Sequence, residues 1–210
     1  MVEIMRLILA LSLLLGLTAC NRSGGGADDE ASGGIVTPPK GPDRYRVQFE
    51  TSKGNFVVDV VRGWSPLGAD RFHELVTARF YDENRFFRVV PGFVVQFGLS
   101  GDPALNRKWK VNIDDDLPGV SNTPATMSFA TAGPRTRTTQ VFINFGDNSR
   151  LDSKGFTPFG RVTEGMAAVM AINAEYEQRP DQGKLTSEGN VYLKAEFPNL
   201  DYIKKATVLP

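Results

Sequence analysis

From residue 45 the chain alternates apolar and polar positions, Tyr45, Val47 and Phe49 against Arg46, Gln48 and Glu50. This is the period-two pattern of a half-buried strand. A turn at Ser52-Lys53-Gly54-Asn55 and a second apolar run at residues 56–61 make it a hairpin. Ser65-Pro66 then reads as a helix start, with Ser as cap and Pro at the first helical position. Phe72, Leu75, Val76 and Phe80 follow at helical spacing and form one apolar stripe. Strand-like runs recur at residues 86–90, 93–97, 126–131, 140–145 and 159–162. A second helix is predicted over 164–173, with Met166, Val169 and Met170 on one face. Residues 183–190 read as a polar loop, 192–200 fit neither period, and 202–209 read as a last strand. Many short strands without a strand–helix repeat predict a mainly β single domain, an antiparallel barrel or sandwich.

Upstream the pattern changes. Residues 7–17 (LILALSLLLGL) carry no charge. The run is too short for a mature membrane span, which takes about 20 apolar residues, but it has the length of a secretory core. Leu17-Thr18-Ala19-Cys20 follows and resembles the lipobox of bacterial lipoproteins, which implies that Cys20 is acylated and becomes the new N-terminus. An ordinary signal peptide with a chance cysteine is the alternative. Cys20 is the only cysteine in the chain, and acylation accounts for a lone thiol in an exported protein. The acyl chains would hold the protein on a membrane without spanning it. Residues 21–42, rich in Gly, Ser, Asp and Pro, read as a flexible tether. The expected organisation is therefore a lipoprotein signal peptide at 1–20, a tether at 21–42 and one domain at 43–210. The expected location is the bacterial cell envelope, facing the periplasm. Asn21 after the cysteine lacks the inner-membrane signal of the resembling lipoproteins, which favours the outer membrane.

Lys+Arg and Asp+Glu both number 24, and removal of residues 1–20 takes away one of each sign, Glu3 and Arg6. No field of either sign marks the chain for nucleic acid or an anionic surface, so membrane contact is expected through the lipid alone. A monomer is expected. Fourteen Phe supply a large apolar core. The single histidine, His73, lies on the first predicted helix. A Ser-His-Asp or Cys-His system would have to use it, and Cys20 belongs to the anchor. The segment after His73 lacks the second His of a zinc-protease helix, so His73 reads as structural. Asp114-Asp115-Asp116 lacks the alternating acids of a calcium loop and reads as a solvated acidic turn. No glycine-rich phosphate loop joins a strand to a helix. No metal and no cofactor are expected.

One polar pair remains inside an apolar stretch. Residues 86–98 read FFRVVPGFVVQFG, with Arg88 and Gln96 among large apolar neighbours. On composition alone Arg88 is a structural cation paired with a carboxylate, and Gln96 faces solvent. This segment closely resembles the F-H-R-x-I-P-G-F-x-x-Q-G-G signature of cyclophilins. MSFATAGP at 127–134, with TTQVFI at 138–143, resembles the same family's S-M-A-x-A-G-P-x-x-x-x-S-Q-F-F-I. Leu151-Asp152, then Phe159-Gly160-Arg161-Val162 and Gly165, make a third block. The three stand in the family's order and at family-like spacing over most of the domain.

The resemblance implies a closed eight-stranded antiparallel barrel capped by two α-helices. It also implies cis/trans isomerisation of X–Pro bonds in proline-containing polypeptides. That rotation faces a barrier of about 18–20 kcal/mol, so uncatalysed it takes tens to hundreds of seconds. Arg88 matches the family's catalytic Arg, and Gln96 the Gln that orients Arg and substrate. Phe93, Val94, Phe142 and Leu151 match the proline socket, and Ala130, Thr131 and Gln140 the peptide groove. Several positions depart from the family. Phe87 stands for a usual His, Phe97-Gly98 for a double Gly, and Val94 for a commoner Met. Phe156 fills a rim position where many members have His, and residues 99–112 are longer than usual. Arg150 stands where animal members carry the Trp that lines the cyclosporin site, which implies weak cyclosporin binding.

The expected function is an isomerase assisting the folding of exported and envelope proteins. A proline-peptide binding module and a scaffold lipoprotein are the alternatives. Arg88 beside an apolar socket favours the enzyme, because holding proline needs the socket but not the cation. Residues 181–200 are expected to be a surface elaboration.

Overall fold

The hairpin predicted at the start of the domain sets the geometry of the rest. In the structure, a computed structural model that describes residues 34–210, β2 (Arg44–Thr51) pairs with β3 (Gly54–Val61), Val47 opposite Val58 and Phe49 opposite Phe56. The signal peptide, Cys20 and residues 21–33 of the expected tether lie outside the described residues. The end of the tether does not hang free. β1 (Ile35–Val36) pairs in parallel with β6 (Asn112–Ile113), and the Gly41 amide donates to Asp70 Oδ1 at 2.9 Å.

The other strands are β4 (Arg88–Val90), β5 (Val94–Phe97), β7 (Thr126–Phe129), β8 (Val141–Asn144), β9 (Pro158–Glu164) and β10 (Ile203–Val208). Eight strands form one antiparallel sheet in the order β10–β2–β3–β9–β7–β8–β5–β4. It curls into a half-barrel. The expected closed barrel is thus corrected: no ladder joins β4 to β10. The turn at Pro91-Gly92 ends β4 after three residues. Only the preceding stretch reaches across, through one bridge from Arg85 to Tyr202, made by the Phe86 amide to the Asp201 carbonyl at 3.0 Å and the Ile203 amide to the Asn84 carbonyl at 2.8 Å, and through the Glu83 amide to the Ile203 carbonyl at 2.8 Å.

The helix count is corrected as well, since five α-helices stand among the described residues rather than two. α1 (Pro66–Thr77) lays Ala69, Phe72, Leu75 and Val76 on the concave side of the sheet. There the Phe49 and Phe56 rings stack at 4.8 Å, and Phe72 meets Phe159 at 4.8 Å. α2 (Pro103–Lys108) occupies the long connection after β5, capped by Asp102, whose Oδ1 accepts from the Ala104 amide at 2.8 Å. α3 (Met166–Met170) is shorter than the predicted second helix. The expected polar loop at 183–190 is also wrong. α4 (Gln182–Glu188) and α5 (Asn190–Glu196) fill that stretch and bury Leu185, Tyr192 and Leu193 in a second core with Phe87, Leu99, Tyr176, Phe197 and Leu200. Period reasoning failed here because two helices of seven residues are each too short to show a stripe.

The acidic triplet is corrected too. Asp116 is not solvated: its side chain is 4% exposed, and its Oδ2 accepts from Arg137 Nη1 at 2.9 Å. Its carboxylate also accepts from the Leu67 and Gly68 amides, each at 2.9 Å, and from the Ser65 hydroxyl. Asp116 therefore caps α1. Ser65 and Pro66 stand at the predicted cap and first helical positions, and the Ser65 carbonyl accepts from the Ala69 amide at 2.8 Å, but the Ser65 hydroxyl makes no cap bond and donates to Asp116 instead. His73 packs edge-on against Tyr45 at 5.0 Å, a structural place.

Candidate active site

β4 and β5 run antiparallel with Arg88 directly opposite Gln96. Arg88 Nη1 donates to Gln96 Oε1 at 3.0 Å, and Gln96 Nε2 donates to Gln140 Oε1 at 2.8 Å. The relay engages the oxygens of both glutamines once each and fixes the orientation of their amides. It leaves the Gln140 amide nitrogen and the remaining Arg88 nitrogens as donors. Gln96 is buried rather than facing solvent. Among the described residues no carboxylate acts on Arg88, and burial pulls its guanidinium below the ordinary arginine value.

Against this row of donors lies an apolar socket. Val94, Phe142 and Leu151 form a small buried cluster, with Phe93, Ala130 and Phe156 packed on it. Phe156 meets Phe142 edge-on at 5.7 Å. Phe93 lies between two cations, Arg88 at 5.6 Å and Arg150 at 4.9 Å from its ring centre. Arg150 thus covers one face of an aromatic ring at the socket mouth, in the place where the resemblance puts an indole. Arg88, Phe93, Val94, Ala130, Phe142, Leu151 and Phe156 line an open cavity of about 370 Å³, with Arg150 outside the lining.

The structure brings all ten sequence-predicted residues, Arg88, Phe93, Val94, Gln96, Ala130, Thr131, Gln140, Phe142, Leu151 and Phe156, to this one cavity. It adds four that sequence reasoning missed: Ala132, Thr136, Thr138 and Gln182. Three of these sit in the connection between β7 and β8: Thr136 and Thr138 at positions the motif leaves open, and Ala132 at the motif's own Ala before Gly-Pro. Gln182 lies far along the chain on α4 and gave no signal at all.

Two local features hold the site. Gly98 has φ 104°, and a Cβ there would come within 2.4 Å of the Thr139 carbonyl. Only glycine lets the end of β5 run against the backbone that leads into Gln140. Phe97, where the family signature has the first Gly, points into the main core, its ring 5.5 Å from Tyr81 and 5.4 Å from Phe86. Beneath the socket runs a buried polar network. Asp152 Oδ1 accepts from the Asn122 amide at 2.9 Å and from Asn122 Nδ2 at 2.7 Å. Asn122 Nδ2 also reaches the Phe156 carbonyl at 2.7 Å, and Asn148 Nδ2 reaches the Phe93 carbonyl at 2.9 Å. The two rim aromatics are therefore held by their backbones.

Burial would raise the Asp152 carboxyl, but the bonds from Ser121 and Asn122 outweigh it and hold the group below the ordinary carboxylate value. A carboxyl lowered in the folded state contributes stability that is complete above its unfolded pKa of about 3.9 and fades as pH falls through the folded value. Acid titration followed by near-ultraviolet circular dichroism should show the aromatic signal lost below about pH 4. Asp152→Asn should flatten that limb. An unchanged limb in the variant would assign the acid transition to other groups.

A site with a guanidinium held by a glutamine, amide donors beside it and an apolar socket can hold a ring and donate a hydrogen bond to the group beside it. Among the described residues its lining carries no His, Cys or carboxylate. Known proteins point the same way. A family model described as cyclophilin type peptidyl-prolyl cis-trans isomerase matches residues 46–191. A peptidyl-prolyl cis-trans isomerase of Acinetobacter baylyi is 30% identical over 146 residues, covering 67% of this chain and 78% of its own length. Peptidyl-prolyl cis-trans isomerase-like 1 of Aspergillus fumigatus is 33% identical over 144 residues, 64% of this chain and 87% of its own. The crystal structure of a Cryptosporidium parvum cyclophilin type isomerase shares the fold, with TM-score 0.59 and 19% identity over 80% of this chain and 98% of that one. A second structure of that protein, in the presence of the dipeptide Ala-Pro, aligns over 79% of this chain with the same TM-score of 0.59. The family match takes in every residue of the cavity, from Arg88 to Gln182, and on that ground the chain belongs to the cyclophilin-type peptidyl-prolyl cis-trans isomerases.

Proposed function

We propose that the chain isomerises X–Pro bonds in exported polypeptides while anchored to a membrane through Cys20, and that Arg88 is the catalytic group. The observation that carries the mechanism is the geometry around Arg88. Its guanidinium is held by Gln96 at 3.0 Å, has no carboxylate among the described residues to neutralise it, and lines one cavity with the apolar cluster of Val94, Phe142 and Leu151. The socket takes the proline ring. As the bond twists, amide resonance is lost and the nitrogen becomes pyramidal and basic. A guanidinium N–H aimed at it then donates a bond that the planar ground state cannot accept, which is differential binding of the twisted state. No bond is made or broken. Gln96 fixes the guanidinium, and the free Gln140 amide nitrogen is a donor for a peptide carbonyl along the groove. The dipeptide used with the Cryptosporidium protein is of the chemistry this socket suits.

The first test is a protease-free isomerisation assay on an Ala-Xaa-Pro-Phe peptide. Acceleration over buffer supports the reading, and none sinks it. The anchor rests on the leader, the lipobox-like LTAC and the lone cysteine. In cells, Cys20→Ser should move the protein from the membrane fraction to the soluble one and abolish labelling by a palmitate analogue. Membrane retention without label would remove the lipid from the proposal.

A further inference from the structure

The stretch after α3 lies beside the catalytic strand rather than apart from it. The Glu177 carbonyl accepts from the Val89 amide at 2.9 Å, which places this segment along the outer edge of β4. Phe87 is buried in the second core with Leu185, Tyr192 and Leu193, while its neighbour Arg88 lines the cavity. The family's usual His has given way to a large apolar residue where the added segment needs an anchor. Asp181 then starts α4. Its Oδ1 accepts from the Lys184 amide at 2.8 Å, and its own amide donates to the Tyr192 hydroxyl at 2.9 Å.

The orientation that results points one face of α4 at the groove. Gln182 and Thr186, one helical turn apart, share that face. Gln182 lines the cavity that holds the socket, and Thr186 lines a neighbouring cavity of about 240 Å³. The two cavities share Thr136, Thr138 and Gln140 as a common ridge. A peptide crossing that ridge from the socket passes along α4. The chemistry of the neighbouring cavity is specific. Thr186 Oγ1 donates to the Gln182 carbonyl at 2.7 Å, so towards a ligand it can only accept. Leu99 and Trp109 supply apolar surface, Asn106, Asn112 and Thr139 supply uncharged polar groups, and Lys110 is the one charged residue among the described residues of the lining. Uncharged donors and acceptors beside two apolar side chains and a lysine suit a neutral amide on an apolar stem and repel an ammonium.

We propose that α4 is a specificity element: Gln182 and Thr186 select substrates that carry an amide side chain, Asn or Gln, on a residue near the proline. The proposal rests on the cavity being the isomerase site. The test uses the full domain and proline peptides in which each of the three residues before the proline and two after it is varied among Ala, Leu, Gln and Lys. Turnover and calorimetric binding are both measured. At one position Gln should exceed Leu and Lys by about fivefold in kcat/KM, the effect of one net hydrogen bond. Thr186→Val, which removes the acceptor at constant shape, should bring the Gln-to-Leu ratio close to one, mainly through KM. Gln182→Ala should shift the same ratio, with melting temperatures near wild type in both. A flat wild-type profile, or a Gln preference unchanged in both variants, overturns the proposal. If peptides bind without turnover, the isomerase reading falls, while the binding preferences still decide the role of α4.

Discussion

Arg88→Ala should lower kcat/KM by about 10²–10³, with KM changed much less than kcat. That is the usual cost of deleting one preorganised donor aimed at a developing lone pair, about 2.7–4 kcal/mol. The split follows from when the bond is made. A planar amide nitrogen accepts no hydrogen bond, so Arg88 contributes little to ground-state binding, which the socket around Phe142 supplies. Arg88→Lys should recover only part of the loss. An ammonium on a flexible stem cannot hold Gln96 and reach the amide nitrogen with the planar fork of a guanidinium. The wild-type rate should also be flat from about pH 6 to pH 9, because among the described residues the lining offers no His, Cys or carboxylate and burial does not bring an arginine into that range. The measurement is a protease-free rate on one tetrapeptide for wild type and both variants. A wild-type rate in Arg88→Ala would remove Arg88 from the mechanism while leaving the activity standing.

What the sequence made legible follows one physical rule: features carried by near neighbours were readable. The hairpin of β2 and β3 shows in strict alternation, and Arg88 and Gln96 show because polar residues inside an apolar run are conspicuous. The pairing that places them opposite each other needs only the short turn between β4 and β5. Features made by distant partners stayed hidden. Asp116 caps α1 from about fifty residues away, so Ser65 looked like the cap and the triplet looked solvated. Gln182 joins the cavity through a helix whose burial depends on Phe87 and Tyr192. Closure of the barrel was inferred from the family resemblance, and it fails because β4 stops short and its edge is met by Glu177 instead of β10. Even so, motif order grouped residues far apart in the chain, such as Phe93 in the turn before β5, Phe142 on β8 and Leu151 beyond it, and the structure brings them to one cavity, where periodicity had no access to them.

Asp116→Ala should cost about 3–5 kcal/mol of folding stability, the usual penalty for breaking a buried ion pair by removing one partner. The pair is well buried, with side chains 4% exposed for Asp116 and 3% for Arg137. Truncation takes the nearer carboxylate from the guanidinium and orphans three other groups: the Leu67 and Gly68 amides at the start of α1 and the Ser65 hydroxyl. It also leaves Arg137 with Asp115 at 3.6 Å and the Asp114 carbonyl as its partners. Because α1 carries Phe72, Leu75 and Val76 into the main core, loosening its first turn acts on the whole domain. With a melting shift of about 2–4 °C per kcal/mol for a domain of this size, the midpoint should fall by roughly 10–15 °C. Asp116→Asn keeps an acceptor for the helix start but loses the charge, and should fall between. A double variant, Asp116→Leu with Arg137→Leu, separates the causes. If the guanidinium's loss of its nearer carboxylate dominates, the pair together costs less than Asp116→Ala alone. The site should respond as well, since Arg137 sits between Thr136 and Thr138, which line the cavity, and its carbonyl accepts from the Ile113 amide at 2.9 Å. Well below its melting point Asp116→Ala should therefore raise KM while kcat stays near wild type, because the groove loosens and the Arg88 relay on β4 and β5 does not. A melting shift of only a degree or two would mean that Asp115 takes over the pairing and that Asp116 is not the anchor of this corner.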